Sequence, residues 1–237
     1  METARWNLES KDAQLDHRII FDLVEPGSKV LDLGCGYGDL MYILTREKTV
    51  RAQGVELDDS AVYECVKKGL SVFHSDIETG LTEYPDRCFD YVILNQSMQE
   101  VRKADFVIEE SLRVAGKVIV GFPNFAHIQS RVMLFFRGRS PITPSLPYRW
   151  YDTPNVRFLS ISDFRDFCRE KHLRILDARF LDEKGEVRWL PNLRALNAIF
   201  MVARETENAP ASRVQVQPSS TTPLQLLSTP TQRSLGE

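Results

Sequence analysis

The sequence predicts an α/β fold, a doubly wound and mostly parallel sheet with helices on both faces. Two observations carry that expectation. Short apolar, strand-like runs alternate with helix-like stretches between residues 12 and 204, which is the pattern of successive βαβ units. The first of those strands runs straight into Gly34-Cys35-Gly36-Tyr37-Gly38, and a glycine-rich strand-to-helix turn marks the first crevice of such a sheet. With 237 residues, 43% hydrophobic and 27% charged, the chain has ordinary globular composition and enough length for one sizeable core.

Taken in order, Leu15, Ile19 and Leu23 recur at helical spacing and stop at the breaker Glu25-Pro26-Gly27. Residues 29–33 (KVLDL) are a short apolar strand, 39–47 a helix, and 51–57 a second strand that ends in acids. Residues 60–68 read as a helix closed by Gly69, 70–74 as a third strand and 89–95 (FDYVILN) as a fourth. Residues 104–114 place Phe106, Val107, Ile108 and Leu112 on a helix, and 117–122 (KVIVGF) form a fifth strand. Residues 124–155 open with a helix-like run, Phe125, Ile128, Val132, Leu134, Phe135 and Phe136, interspersed with Arg131, Arg137 and Arg139. Pro141, Pro144 and Pro147 follow, with the aromatic cluster Tyr148, Trp150 and Tyr151. That segment either lids a site and buries its own aromatics or docks a partner, since interfaces are enriched in Tyr, Trp and Arg.

The folded domain is expected over residues 12–204, after a short N-terminal segment, 1–11. From Glu205 to Glu237 there is no aromatic, cysteine or lysine, and Ser, Thr, Pro and Gln dominate. Such a segment buries too little apolar surface to offset its ordering entropy, so 205–237 is expected to be a disordered tail. The net charge of −3 argues against nucleic-acid binding, which draws on an excess of Lys and Arg. No apolar run reaches the roughly 18–20 residues of a membrane span. The opening METARWNLESKDAQLD carries charges throughout and no apolar h-region, so a cytoplasmic protein is expected. Cysteines at 35, 65, 88 and 168 form no CxxC pair, and the four histidines form no HxH or HxxxH pattern. Reduced thiols and no metal site are therefore expected.

Chemistry concentrates at the strand ends. Gly34, Gly36 and Gly38 allow a tight turn and close approach of a ligand to the backbone at Gly34, Cys35 and Gly36. A dinucleotide fingerprint would need glycine where Asp39 stands, so the spacing disfavours a nicotinamide cofactor. Asp32, two residues before the first glycine, suits a cationic ligand better than a pyrophosphate. S-adenosylmethionine carries a sulfonium and an ammonium and meets that requirement. The bland alternative is a turn that only packs helix on strand. Glu56 falls 22 residues after Gly34, near the offset at which an acid accepts from ribose hydroxyls, with Leu57 beside it. Asp58, Asp59 and Ser60 offer an N-cap for the next helix, Asp59 or Ser60 in particular if Glu56 takes ribose. After the third strand, Asp76 can accept from an adenine amino group while Ile77 covers the ring, although Asp in that place is commonly a turn residue. The fourth strand ends at Asn95, followed by Gln96-Ser97-Met98-Gln99-Glu100. No base or nucleophile stands out in that loop, and no catalytic residue is assigned.

As an ordered set, the acid-GxGxG turn, the second-strand acid, Asp76-Ile77 and FDYVI resemble a class I S-adenosylmethionine-dependent methyltransferase, a Rossmann-like fold. The resemblance implies an antiparallel last strand, for which residues 197–204 (NAIFMVAR) are the candidate. A narrower resemblance, to the MetW family, rests on EPGSKVLDLGCGYGDL, GLSVFHSD, FDYVILNQSMQ, VGFPNFA, RGRSPITPSLPYRWYDTPN and PNLRALNAIF. The LPYRWYDTPN stretch is the most distinctive, because generic methyltransferases have nothing like it there. Tyr37 stands where that family usually has an acid, and residues after Arg204 have no counterpart in it. The resemblance implies an S-adenosylmethionine-binding protein of methionine biosynthesis that works beside homoserine O-acyltransferase, as an accessory or regulatory subunit. The alternative left open is an independent small-molecule methyltransferase, since in-line methyl displacement can rely on positioning and desolvation without a base.

Overall fold

Side-chain alternation in the strands produces a sheet covered on both faces. In the computed structural model, which describes residues 11–79 and 81–205 with side chains from Leu15 onward, strand β1 (Lys29–Leu33) sends Val30 to one side and Leu31 and Leu33 to the other. Strand β4 (Phe89–Asn95) divides likewise, Tyr91 and Ile93 against Val92 and Leu94, and β5 (Ala115–Pro123) sets Ile119 against Val118, Val120 and Phe122. This two-residue period, buried on both faces, is what a central strand of a doubly wound sheet requires. On the first face lie α1 (Lys11–Leu23), through Ile20 and Val24, and α2 (Asp39–Lys48), through Leu40 and Leu44. On the second lie α4 (Ala104–Val114), through Val107, Ile108 and Leu112, and α6 (Ile161–Glu170), through Ile161, Phe164 and Cys168.

The remaining strands are β2 (Arg51–Glu56), β3 (Ser71–His74), β6 (Leu173–Asp182), β7 (Gly185–Glu186) and β8 (Asn197–Arg204). They join one sheet in the order β3-β2-β1-β4-β5-β8-β6-β7. Strands β1 to β5 run parallel, and β8 runs antiparallel to both β5 and β6. The last strand among the described residues is therefore inserted between β5 and β6. Helix α3 (Asp59–Lys67) links β2 to β3, and α5 (Ile128–Arg137) follows β5. Among the described residues no helix is long and apolar enough to cross a membrane.

The sequence reading leaves residues 156–196 without elements, whereas the structure places α6, β6, β7 and the short helix α7 (Pro191–Arg194) there. Strand β6 hides its period because Asp177 and Arg179 pair on it and a bulge between Ile175 and Asp177 breaks the alternation. Helix α6 is announced by Ser160, whose hydroxyl accepts from Asp163 N–H while the Asp163 carboxylate accepts from Ser160 N–H, a capping box. The expected tail over 206–237 and N-terminal segment over 1–10 lie outside the described residues. Glu205 is described, and its N–H donates to the His172 carbonyl.

Candidate ligand site at the strand ends

The strand order reverses between β1 and β4, and ligands of open α/β sheets sit beyond the carboxyl ends at such a switch point. One wall of this crevice is the turn over residues 34–38, and the other is the loop over residues 95–100. They are locked together at their bases. Ser97 Oγ donates to the Leu33 carbonyl at 2.7 Å, and a Cβ added to Gly34 would lie 2.7 Å from Ser97 Cβ. With φ of +72° as well, Gly34 admits no side chain.

The second strand holds the turn. Gly34 and Cys35 N–H both donate to the Val55 carbonyl, at 2.8 and 3.3 Å, and Gly36 N–H donates to Glu56 Oε2 at 2.8 Å. Glu56 Oε1 accepts from the N–H groups of Leu57 and Asp58, at 2.8 and 3.0 Å. A carboxylate offers about four lone-pair sites, so Glu56 fixes the turn and retains room for one further donor. Gly36, at φ +52°, has no heavy atom within 4 Å of where a Cβ would stand. Its backbone therefore faces open space beside a carboxylate. Leu57 is 64% exposed on the same rim, and its carbonyl accepts from His74 Nε2 at 2.9 Å.

Asp32 lies beneath this opening, on the α1 side of the sheet. It is buried, and desolvation first, then the nearby Glu56 charge, push its carboxyl up to about 7. Cys35 packs against Gly54, and burial, reinforced by the Asp32 charge, pushes its thiol up. That thiol is a packing group, not a nucleophile. Asp58, not Asp59 or Ser60, is the N-cap of α3, its side chain accepting from Ala61 N–H at 2.8 Å. Asp76 Oδ1 accepts from Glu78 N–H at 2.8 Å, the local turn that Asp favours, and Ile77 turns onto the core cluster of the α4 face. Asn95 ends β4 with Oδ1 buried and without a hydrogen-bond partner among the described residues. It overlies Gly121, where any Cβ would collide with it.

Asp16 is the site residue that sequence reasoning missed. Asp16, Ile20 and Val24 are all almost fully buried and spaced four apart, so Asp16 and Ile20 form the inner stripe of α1, which Val24 continues just past its end. The residues read from the sequence, Leu15, Ile19 and Leu23, pack only partly against the core. An acid in phase with Ile20 and Val24 was the available signal. Gln96 Nε2 donates to Asp16 Oδ2 at 3.0 Å, which ties α1 to the crevice. Neighbouring His17 is held below the usual imidazole range by burial, with Asp39 opposing. In the loop, Ser97 Oγ and the side-chain Nε2 groups of Gln96 and Gln99 are spent on the fold, Gln99 Nε2 donating to the Gln96 carbonyl at 2.8 Å. None of these is placed as a general base.

A concavity of about 550 Å³ lies at the opposite end of the sheet, lined by Glu25, Ser28, Asp90 and Lys117 among others. Three of its charged groups are already engaged, Lys117 Nζ lying 3.0 Å from Glu25 Oε1 and Asp90 accepting from the Lys29 backbone N–H at 2.8 Å. The switch-point crevice is the better candidate.

Comparisons with known proteins agree with this geometry. The profile of the family described as methionine biosynthesis protein MetW matches residues 14–202. A bifunctional methionine biosynthesis protein MetXA/MetW of Rhodopirellula baltica is 36% identical over 81% of this chain and 33% of its own length. The chain thus spans about a third of the length of that curated relative. Among solved structures, a SAM-dependent methyltransferase from Archaeoglobus fulgidus superposes with a TM-score of 0.60 at 14% identity, covering 82% of this chain and 95% of that one. Magnesium protoporphyrin IX methyltransferase from Synechocystis PCC 6803, solved with bound SAH, gives 0.56 at 17% identity over 82% of each chain. At such identities the likeness establishes the fold, that of class I methyltransferases.

Proposed function

The chain belongs to the MetW family of methionine biosynthesis proteins, and from that premise we propose that it binds S-adenosylmethionine in the switch-point crevice and serves a homoserine O-acyltransferase as an accessory, regulatory subunit in the cytoplasm. The observation that carries the ligand is the open space over Gly36 beside the Glu56 carboxylate. Glu56 would take one ribose hydroxyl with its remaining acceptor capacity, and the exposed Leu57 would cover adenine, with Asp76 at its amino edge. Asp32, poised near neutrality by burial, would be held ionised by the ligand's cationic groups. The orphaned Asn95 Oδ1 offers an acceptor to the ammonium. When bound, the ligand supplies an activated methyl group, and no residue of this chain is assigned to its transfer.

Support for the partnership comes from the Rhodopirellula relative, whose name joins MetXA and MetW in one bifunctional protein. The partner taken here, homoserine O-acyltransferase, is the one that the family resemblance implies. A subunit of this kind needs a ligand that distinguishes two states of the assembly, which requires no catalytic base.

The test is to purify the chain with the acyltransferase of the same cell and to follow acyl transfer with and without the chain and S-adenosylmethionine. A complex whose rate responds to S-adenosylmethionine is expected. No complex and no change in rate overturn the partnership. Formation of S-adenosylhomocysteine with an acceptor from a metabolite panel would establish an independent methyltransferase instead.

A further inference from the structure

Helix α5 is amphipathic with its apolar face turned outward. At about 100° per residue, Ile128, Val132, Phe135 and Phe136 fall within a single stripe about 100° wide. Ser130, the buried residue of this helix, lies nearly opposite the centre of that stripe. Phe135 is 83% and Phe136 76% exposed, with Ile128 and Val132 also exposed. Beyond the helix, Trp150 and Tyr151 stand 77% and 61% exposed, their rings 5.6 Å apart. An aromatic side chain carries about 150–250 Å², so Phe135 and Phe136, their rings 4.9 Å apart, alone offer on the order of 300 Å². Soluble monomers rarely expose contiguous apolar patches beyond a few hundred Å², and a stable interface needs roughly 800 Å² per partner.

The spacing i, i+4, i+7, i+8 is that of a helix that seats in an apolar groove. Residues 128–155 also hold four arginines and a single acid, Asp152, in a chain of net charge −3. A basic segment that carries an apolar stripe, with Arg131 at the stripe's edge, favours a groove edged by carboxylates. It disfavours an isologous pairing with a second copy, which would set arginine against arginine.

We propose that α5 is the helix by which this chain docks on its acyltransferase partner, the Ile128-Val132-Phe135-Phe136 stripe entering an apolar, carboxylate-rimmed groove of that enzyme. This rests on the accessory-subunit reading above. The 124–155 segment is then a docking element and not a lid that buries its own aromatics.

The experiment measures the affinity of the full chain for the purified acyltransferase, with the wild type and with the double variant Phe135→Asp, Phe136→Asp. Because both side chains are exposed, the variant is expected to fold, shown by S-adenosylmethionine affinity and thermal midpoint equal to those of the wild type. Its affinity for the acyltransferase is expected to fall at least thirtyfold, about the loss of one hot spot of 2 kcal/mol. A photo-crosslinker in place of Phe135 is expected to capture an acyltransferase peptide flanked by Asp or Glu. Undiminished binding by the double variant overturns the docking helix while leaving the partnership standing. No binding by the wild type overturns both. Crosslinks only to a second copy, or to residues 206–237 of the same chain, also overturn the proposal, as does α5-dependent binding to anionic phosphatidylglycerol vesicles with acyltransferase binding unaffected.

Discussion

Asp32 is where the chemistry of the site meets the stability of the fold. Its carboxyl titrates near 3.8 in an unfolded chain and at about 7 in the folded one. Between those values the folded state holds a proton that the unfolded state has lost. Stability therefore falls as pH rises from about 4 to about 7, and levels off above. The Asp32→Asn variant lacks this penalty. It is expected to gain on the order of a few kcal/mol over the wild type at pH 8 and nothing near pH 3.5. A cation bound beside Asp32 favours the ionised form. Binding of S-adenosylmethionine should then expel a proton, strengthen between pH 5 and pH 8, and weaken in Asp32→Asn. Thermal midpoints at the two pH values, with calorimetric titrations in buffers of different ionisation enthalpy, check both halves. A variant whose stability follows the same pH slope as the wild type sinks the argument.

At the scale of elements, the glycine turn and β2 behave as one unit because Glu56 bonds Gly36 and the two amides that follow it. Glu56→Ala removes both the acceptor for ribose and the restraint on the turn. A hydrogen bond to a charged group is worth about 1.5–3 kcal/mol, so affinity for S-adenosylmethionine should drop roughly ten- to a hundredfold. Unchanged affinity by calorimetry would remove the crevice assignment. These elements were legible in the sequence because their signals are local. KVLDL, FDYVILN and the three glycines state strand and turn within a few residues. Strand β6 was not, since Asp177 and Arg179 occupy it and its partner β8 arrives only after a further hairpin and helix. Asp16 was not, since what makes a buried acid acceptable on α1 is Gln96, eighty residues away. At Asp76-Ile77 the local turn takes Asp76 Oδ1, leaving Oδ2 for a ligand, and Ile77 packs partly against the core.

For the whole molecule, the question is how a ligand in the crevice would be felt at α5. The structure provides a physical link between them. The Gln99 carbonyl, in the loop that walls the crevice, accepts from both Val156 and Arg157 N–H at 3.0 Å. The Arg157 guanidinium returns to the carbonyls of Val101, at 3.2 Å, and Arg102. Residues 155–158 are thus tied to the ligand loop at one end and continue from the exposed aromatics at the other. A shift of the loop on binding would move the base of the docking segment, because packed elements change between discrete arrangements. Thermodynamic linkage then fixes the form of the result. If S-adenosylmethionine changes affinity for the acyltransferase by some factor, the acyltransferase changes affinity for S-adenosylmethionine by the same factor, typically about 5- to 150-fold. Arg157→Ala cuts the side-chain half of the link and touches neither binding surface. It is expected to bring that factor towards one while each separate affinity stays near that of the wild type. Titrating each partner with and without saturating amounts of the other measures all four constants. A factor of one in the wild type, or the same factor in Arg157→Ala, would show that the crevice and the helix act independently.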